Sequence, residues 1–160
     1  MAEMVHVVVP VFAVVVTGLF AGLFFAFSIA VMPGLRRAGD RAMIEAMQGV
    51  NVAILNPFFA VVFIGAPVAA LACAVLHASV GATSSAVWSG AALLCLVVAL
   101  VSTFAVNVPR NNALDREGPA ERIADPAAVR AAFEPVWVRW NNVRTLASLA
   151  ALVCVVIALR

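Results

Sequence analysis

From Ala46 to Pro109 the chain runs for 64 residues without a formal charge. A bilayer core of about 30 Å takes roughly 20 residues of helix. The run is too long for one crossing and suits two crossings with a tight connection. Its clearest break is HASVGATSS, residues 77–85, where small and hydroxyl-bearing residues gather as they do in turns. The whole chain of 160 residues is 65% hydrophobic and 11% charged, with a mean hydropathy of +1.10. A domain of that size has no private core large enough for so much apolar surface, so lipid must cover it. The sequence therefore predicts an all-α integral membrane four-helix bundle, one domain over residues 1–160, with the lipid bilayer as its first partner.

The other two spans lie on either side of this run. Met4–Met32 holds 29 residues without a charge, enough to cross with tilt. No basic segment precedes it and it is too long for a signal peptide, so it is expected to stay as a span. Gly18, Gly22, Ala26 and Ala30 recur every four residues along it, a seam that lets another helix approach closely. That seam makes a second copy, or a larger membrane complex, an expected partner. Pro33-Gly34 should stop the helix. The expected spans are 4–32, 52–77, 86–106 and 141–159, with polar connections at 33–51 and 107–140. A short interfacial helix carries Met43, Met47, Val50 and Ile54 on one face of the first connection. Asp125 before Pro126 reads as an N-cap starting a helix that runs, bent at Pro135, into the last span. Asn56-Pro57 has the same form.

All ten basic residues are arginine, and nine of them fall on the two polar connections or the adjoining edge of the last span. The positive-inside rule then places both connections in the cytoplasm and both termini outside a cell (inner) membrane. No basic stripe suggests nucleic acid. Cys73, Cys95 and Cys154 all sit in apolar runs without metal or redox spacing. His6 and His77 would lie together near the opposite face, with Glu3, but no helical ligand pair supports a metal or haem site there. Ser/His/Asp sets and phosphate-binding glycine loops are absent.

The last span begins with too much polarity for its depth. Thr145–Leu159 supplies 15 charge-free residues, only about 22 Å of helix. Asn141, Asn142 and Arg144 must then lie in the span or at its edge, where they should face other helices or a wet cavity. Trp137, Asn141, Arg144 and Ser148 share one helical face, and Trp140 flanks it. Asn51, Asn56, Asn107, Asn111 and Asn112 gather at the same end. So do nine of the ten phenylalanines, among them Phe24 and Phe59. Two readings stand side by side. One is an aromatic-walled pocket for a flat, partly polar, lipid-soluble molecule such as a polycyclic phenol or quinone. The other is a structural network, with tryptophans as an interfacial belt and Arg144 paired to Glu134 or Asp115.

Three segments, FFAFSIAVMPGL (24–35), NVPRNNAL (107–114) and WVRWNNVRTLASL (137–149), resemble the anthrone oxygenase family of small four-span membrane proteins. Arg110 departs from the apolar residue expected after the proline. The resemblance implies oxygenation of an anthrone-type carbon to a quinone, with O₂ as co-substrate and neither metal nor flavin. It makes Arg144 and Asn141 the donors to a developing enolate oxygen, with Asn107 and Asn111 orienting ring oxygens. Trp137 and Trp140 would wall the substrate together with Asn51, Phe24 and Phe59. Asp115, Glu134 and Asp40 are candidate bases by location. The competing expectation is a non-catalytic membrane protein that binds a quinone-like ligand or serves as an accessory subunit.

Overall fold

The computed structural model describes residues 2–160, with side chains from Met4 onward. Every regular element among them is helical. The long helices are α1 (Ala2–Ala26), α4 (Pro57–Ser79), α5 (Thr83–Ser102) and α7 (Pro126–Ile157); the short ones are α2 (Met32–Leu35), α3 (Asp40–Ala53) and α6 (Val108–Arg116). Wide, π-helical turns at Phe27–Val31 and Thr103–Asn107 join α1 to α2 and α5 to α6 without interrupting either rod. Four continuous helices are thus long and apolar enough to cross a membrane: Met4–Leu35, Pro57–Ser79, Thr83–Arg116 and Pro126–Ile157. The molecule is a multi-pass, four-helix membrane bundle.

Each long helix packs against two others in the ring α1–α4–α5–α7, leaving α1 opposite α5 and α4 opposite α7. Side-chain size makes this ring taper. At one end it closes on Ala13, Ala69, Ala70, Ala92 and Ala151, all nearly or wholly buried, so the backbones approach closely. Towards the other end Phe20, Phe24 and Phe63 replace alanine and hold the helices apart. A second apolar cluster closes the wide end, where Met43, Ile44 and Met47 of α3 pack on Leu114, Phe133 and Trp137.

Helix ends follow the sequence closely in places. Asn56 Oδ1 accepts from Phe59 N at 3.0 Å, and Asp125 Oδ1 accepts from Ala128 N at 3.0 Å. Each cap precedes a proline in the first turn. Gln48 Nε2 donates to the carbonyls of Leu114 (3.0 Å) and Gly118 (2.9 Å), satisfying the end of α6. Gly118 has φ +80°, a conformation that only glycine adopts cheaply.

Several expectations need correction. Pro33-Gly34 does not stop the first helix, which runs on to Leu35. In a regular helix a proline ring collides with the carbonyl four residues back. Pro33 and Pro109 each come two residues after a wide turn, and that widening relieves the collision. Residues 52 and 53 belong to α3, and the second span starts only after the corner at 54–56. The connection drawn at 107–140 is mostly helix; only 117–125 leaves the rods, and that stretch holds a 3-10 turn at Ala120–Arg122. Most of the small-residue seam turns outward, with Gly22, Ala26 and Ala30 exposed and Gly18 half-buried.

Candidate functional site

Between the splayed halves of the helices lies a cavity of about 680 Å³. Phe24 and Phe27 of the first helix, Phe59 and Phe63 of α4, and Thr103, Phe104, Asn107 and Asn111 of the third wall it, with Trp137, Asn141 and Arg144 from α7. Met47, Val50 and Asn51 of α3 form its polar-end wall. The rings are coupled: Phe59 stacks on Phe63 at 5.0 Å, and Phe63 meets Phe104 edge-on at 5.8 Å. A flat aromatic molecule matches such walls better than a flexible or strongly hydrated one.

Arg144 is the single cationic residue on these walls, and Asp115, at the rim, the single acidic one. The Arg144 side chain is buried, with 5% of the residue exposed. One terminal nitrogen donates to Asn141 Oδ1 at 2.9 Å, and the other lies 3.5 Å from Thr103 Oγ1. Its carbon sits 4.4 Å from the Phe24 ring centroid and 5.2 Å from that of Trp137, favourable placements for a desolvated cation. Its Nε has no hydrogen-bond partner. No salt bridge among the described residues involves it.

Asn141 holds this guanidinium in place. Its amide nitrogen donates to the Phe24 carbonyl at 3.0 Å and to Ser28 Oγ at 2.9 Å, while its oxygen receives Arg144. Both amide protons are thus engaged with the first helix, so Asn141 is a positioning residue rather than a free donor. Ser28 also lies 2.9 Å from Thr145 Oγ1 and donates to Asn142 Oδ1 at 2.9 Å.

Asn107 and Asn111 grip Trp137 from the facing helix. Asn107 Nδ2 donates to the Trp137 carbonyl at 3.2 Å, and Trp137 Nε1 donates to Asn111 Oδ1 at 2.8 Å. These bonds fix which way each amide faces, since a flip would set oxygen against oxygen at Asn107 and nitrogen against N–H at Asn111. They leave the buried Asn107 Oδ1 without a partner. Arg144 Nε and Asn107 Oδ1 are thus buried atoms without a partner, on two residues that line the cavity. Buried polar groups are rarely left so, because each unmade bond costs about 1–3 kcal/mol.

The remaining expectations sort as follows. Phe24, Phe59 and Asn51 line the cavity, and Asn51 Nδ2 donates to Asp115 Oδ1 at 3.3 Å. Trp140 is half-buried and outside the lining. Phe25 and Phe58 turn outward, exposed by 42% and 85%. Arg144 pairs with neither Glu134 nor Asp115. Glu134 instead receives Arg36 Nε and Arg130 Nε, both at 2.7 Å, and Arg130 also reaches Asp40 Oδ1 at 3.0 Å. Those acids brace the α2–α3 corner against α7, and of the three candidate bases only Asp115 reaches the cavity. At the far end His77 Nδ1 lies 3.1 Å from Ser89 Oγ and His6 is exposed; the Glu3 side chain lies outside the described residues. No three His, Cys, Asp or Glu side chains gather as a metal site among the described residues. Phe63 and Phe104 are among the nine phenylalanines expected at this end, whereas Thr103 is an addition that continues the four-residue spacing of Asn107 and Asn111.

The family model described as anthrone oxygenase matches residues 58–154. The chain belongs to the anthrone oxygenase family. The matched stretch carries the cavity walls supplied by α4, the wide turn at Thr103–Asn107, α6 and α7, from Phe59 through Arg144. The segment at residues 24–35, which contributes Phe24 and Ser28, lies before it. No curated protein and no solved structure matches the chain.

Proposed function

We propose that this anthrone oxygenase family member is a monooxygenase that converts a polycyclic phenolic or anthrone-like substrate to a quinone with O₂ as co-substrate, the protein supplying neither metal nor flavin. The observation that carries this reading is Arg144: a buried cation with an unmatched donor, set among aromatic rings and answered by no carboxylate. A substrate enolate oxygen seated beside the guanidinium would supply the missing charge. The Asn107 oxygen would take a neighbouring hydroxyl.

The chemistry balances without a further reductant. The anthrone methylene loses a proton, and the resulting enolate passes one electron to O₂. Recombination of the two radicals forms a carbon–oxygen bond and a peroxide anion, which takes back the proton to give a hydroperoxide. Loss of water from it yields the quinone, so one oxygen atom enters product and the other leaves as water. Arg144 stabilises the charge that develops on the enolate oxygen, in surroundings where water screens it little. Asp115 lies twelve residues beyond Thr103 on the same rod, roughly 18 Å of rise. It stands too far out to take the proton directly from a substrate seated at Arg144. Water entering from the polar rim would take the proton and exchange it with Asp115, and would return one to the peroxide.

That distance also favours a second reading, a non-catalytic binder of quinone-like molecules, in which Arg144 and Asn107 recognise the ligand and nothing turns over. Purified protein in detergent, given 1,8-dihydroxyanthrone, separates the two. The enzyme reading expects O₂ uptake above the spontaneous rate and one atom of isotopically heavy oxygen in each quinone formed. Uptake at the spontaneous rate, with the quinone bound, would leave the binder. The nine arginines at the wide end support a cytoplasmic position for that end, with both termini outside an inner membrane, by the positive-inside rule.

A further inference from the structure

Three residues on the cavity wall are also strongly exposed on the outside of the bundle: Leu55 by 79%, Ile64 by 61% and Phe104 by 62%. Ala60, one turn before Ile64, is exposed and on the wall as well. A side chain that belongs both to a cavity and to the outer surface borders an opening. Ala60 and Ile64 come from α4, and Phe104 from the wide turn after α5, so the opening lies between these two helices. Towards the alanine end they pack through Ala69, Ala70 and Ala92, and at the level of the gap Phe63 meets Phe104 only edge-on, 5.8 Å between ring centroids.

The depth of this gap decides what lies outside it. Ile64 lies eight residues beyond the exposed Asn56, and Phe104 six residues before the exposed Arg110, so they sit roughly 9–12 Å inside these polar residues. At that depth the surroundings are acyl chains. The polar rim at Asn56, Asn112 and Asp115, exposed and also on the wall, is a separate edge at the level of the headgroups.

We infer that the cavity opens sideways into the bilayer between α4 and the wide turn at Thr103–Asn107, and that its occupant arrives from the hydrocarbon of the leaflet rather than from water. The identity of the occupant rests on the proposed function; the opening does not. A lipophilic aromatic reaches Arg144 through the Ala60–Ile64–Phe104 gap without first being hydrated, while O₂, itself concentrated in hydrocarbon, follows the same route. The polar rim is left as the path for the proton.

One reporter tests both parts. With Trp88→Phe and Trp140→Phe, the buried Trp137 on the cavity wall is the single tryptophan. In vesicles of phosphatidylcholine and phosphatidylglycerol with brominated acyl chains, Trp137 loses most of its emission, and Ala60→Phe restores it. Full emission in those vesicles, with strong quenching by water-soluble acrylamide instead, would overturn the inference. In unbrominated vesicles 1,8-dihydroxyanthraquinone quenches the same tryptophan on binding. Ala60→Phe slows its association and dissociation together, by about tenfold, with the equilibrium constant nearly unchanged. Asn112→Phe on the polar rim leaves both rates alone; slowing by Asn112→Phe and not by Ala60→Phe would equally overturn the route. Bromine quenching without any quinone binding would uphold the opening and remove the proposed function.

Discussion

The Arg144 guanidinium lies 4.4 Å from the centroid of the Phe24 ring, and the oxygen that steadies it belongs to an amide, Asn141, rather than a carboxylate. A desolvated cation without a counter-ion weakens the resting bundle and strengthens any complex that brings an anion to it.

Arg144→Met keeps the length and removes the charge. Turnover of an anthrone probe falls by about 10²–10³-fold, the effect of losing a donor aimed at a developing oxyanion. The melting temperature in detergent stays level or rises. Full turnover in a stable Met variant would take Arg144 out of the reaction.

Asn141→Leu tests positioning. It frees the guanidinium and removes the Asn141 donor from the Phe24 carbonyl, at a cost of about 1–3 kcal/mol, while Ser28 keeps Asn142 and Thr145. Quinone affinity should fall with the melting temperature, and Asn141→Gln should recover part of the stability but little of the affinity. Unaltered affinity in both would show that Arg144 needs no such support.

Asp115→Asn separates a direct base from a rim acceptor. A direct general base contributes about 10²–10⁴-fold; the rim role predicts a loss nearer tenfold, with quinone binding unchanged. A steady-state comparison of kcat and KM reads the difference, and a loss beyond a thousandfold would place the carboxylate at the reacting carbon.

Glu134→Gln leaves Arg36 and Arg130 with a neutral partner on α7. Bonds to a charged acceptor contribute about 1.5–3 kcal/mol each when well formed, less here because Arg36 is half exposed. The melting temperature drops, and protease reaches the 117–125 stretch sooner. Because Glu134 does not line the cavity, the dissociation constant for the quinone is nearly unmoved.

Periodicity made much of the site legible before any coordinates. Trp137, Asn141 and Arg144 share a face because steps of four and three nearly complete a helical turn, and Asn107 with Asn111 follows the same rule. Thr103 stood on that stripe as well, but a threonine inside an apolar run gives no signal of its own. Trp140 flanks that face without joining the cavity wall. Three residues from Trp137 amount to about 60° around the helix, enough to turn it out of the cavity. Glu134 was beyond reach because its partners, 98 residues away at Arg36 and one turn away at Arg130, are chosen by tertiary placement. The unmatched Arg144 Nε and Asn107 Oδ1 were equally invisible, since a missing bond is a property of packing.

The two wide turns give chain length a role that polarity cannot fill. Each holds one residue more than its turn requires, which advances everything downstream by about 100° of rotation. Removing any one residue between Thr103 and Asn107 would wind α6 back by that angle, swinging Asn111 off Trp137 and Asp115 away from the rim. A hydropathy plot of the shortened chain would hardly change. Homologues that differ by a single deletion there would keep the membrane anchor and lose the chamber, and counting residues between Thr103 and Pro109 would tell them apart.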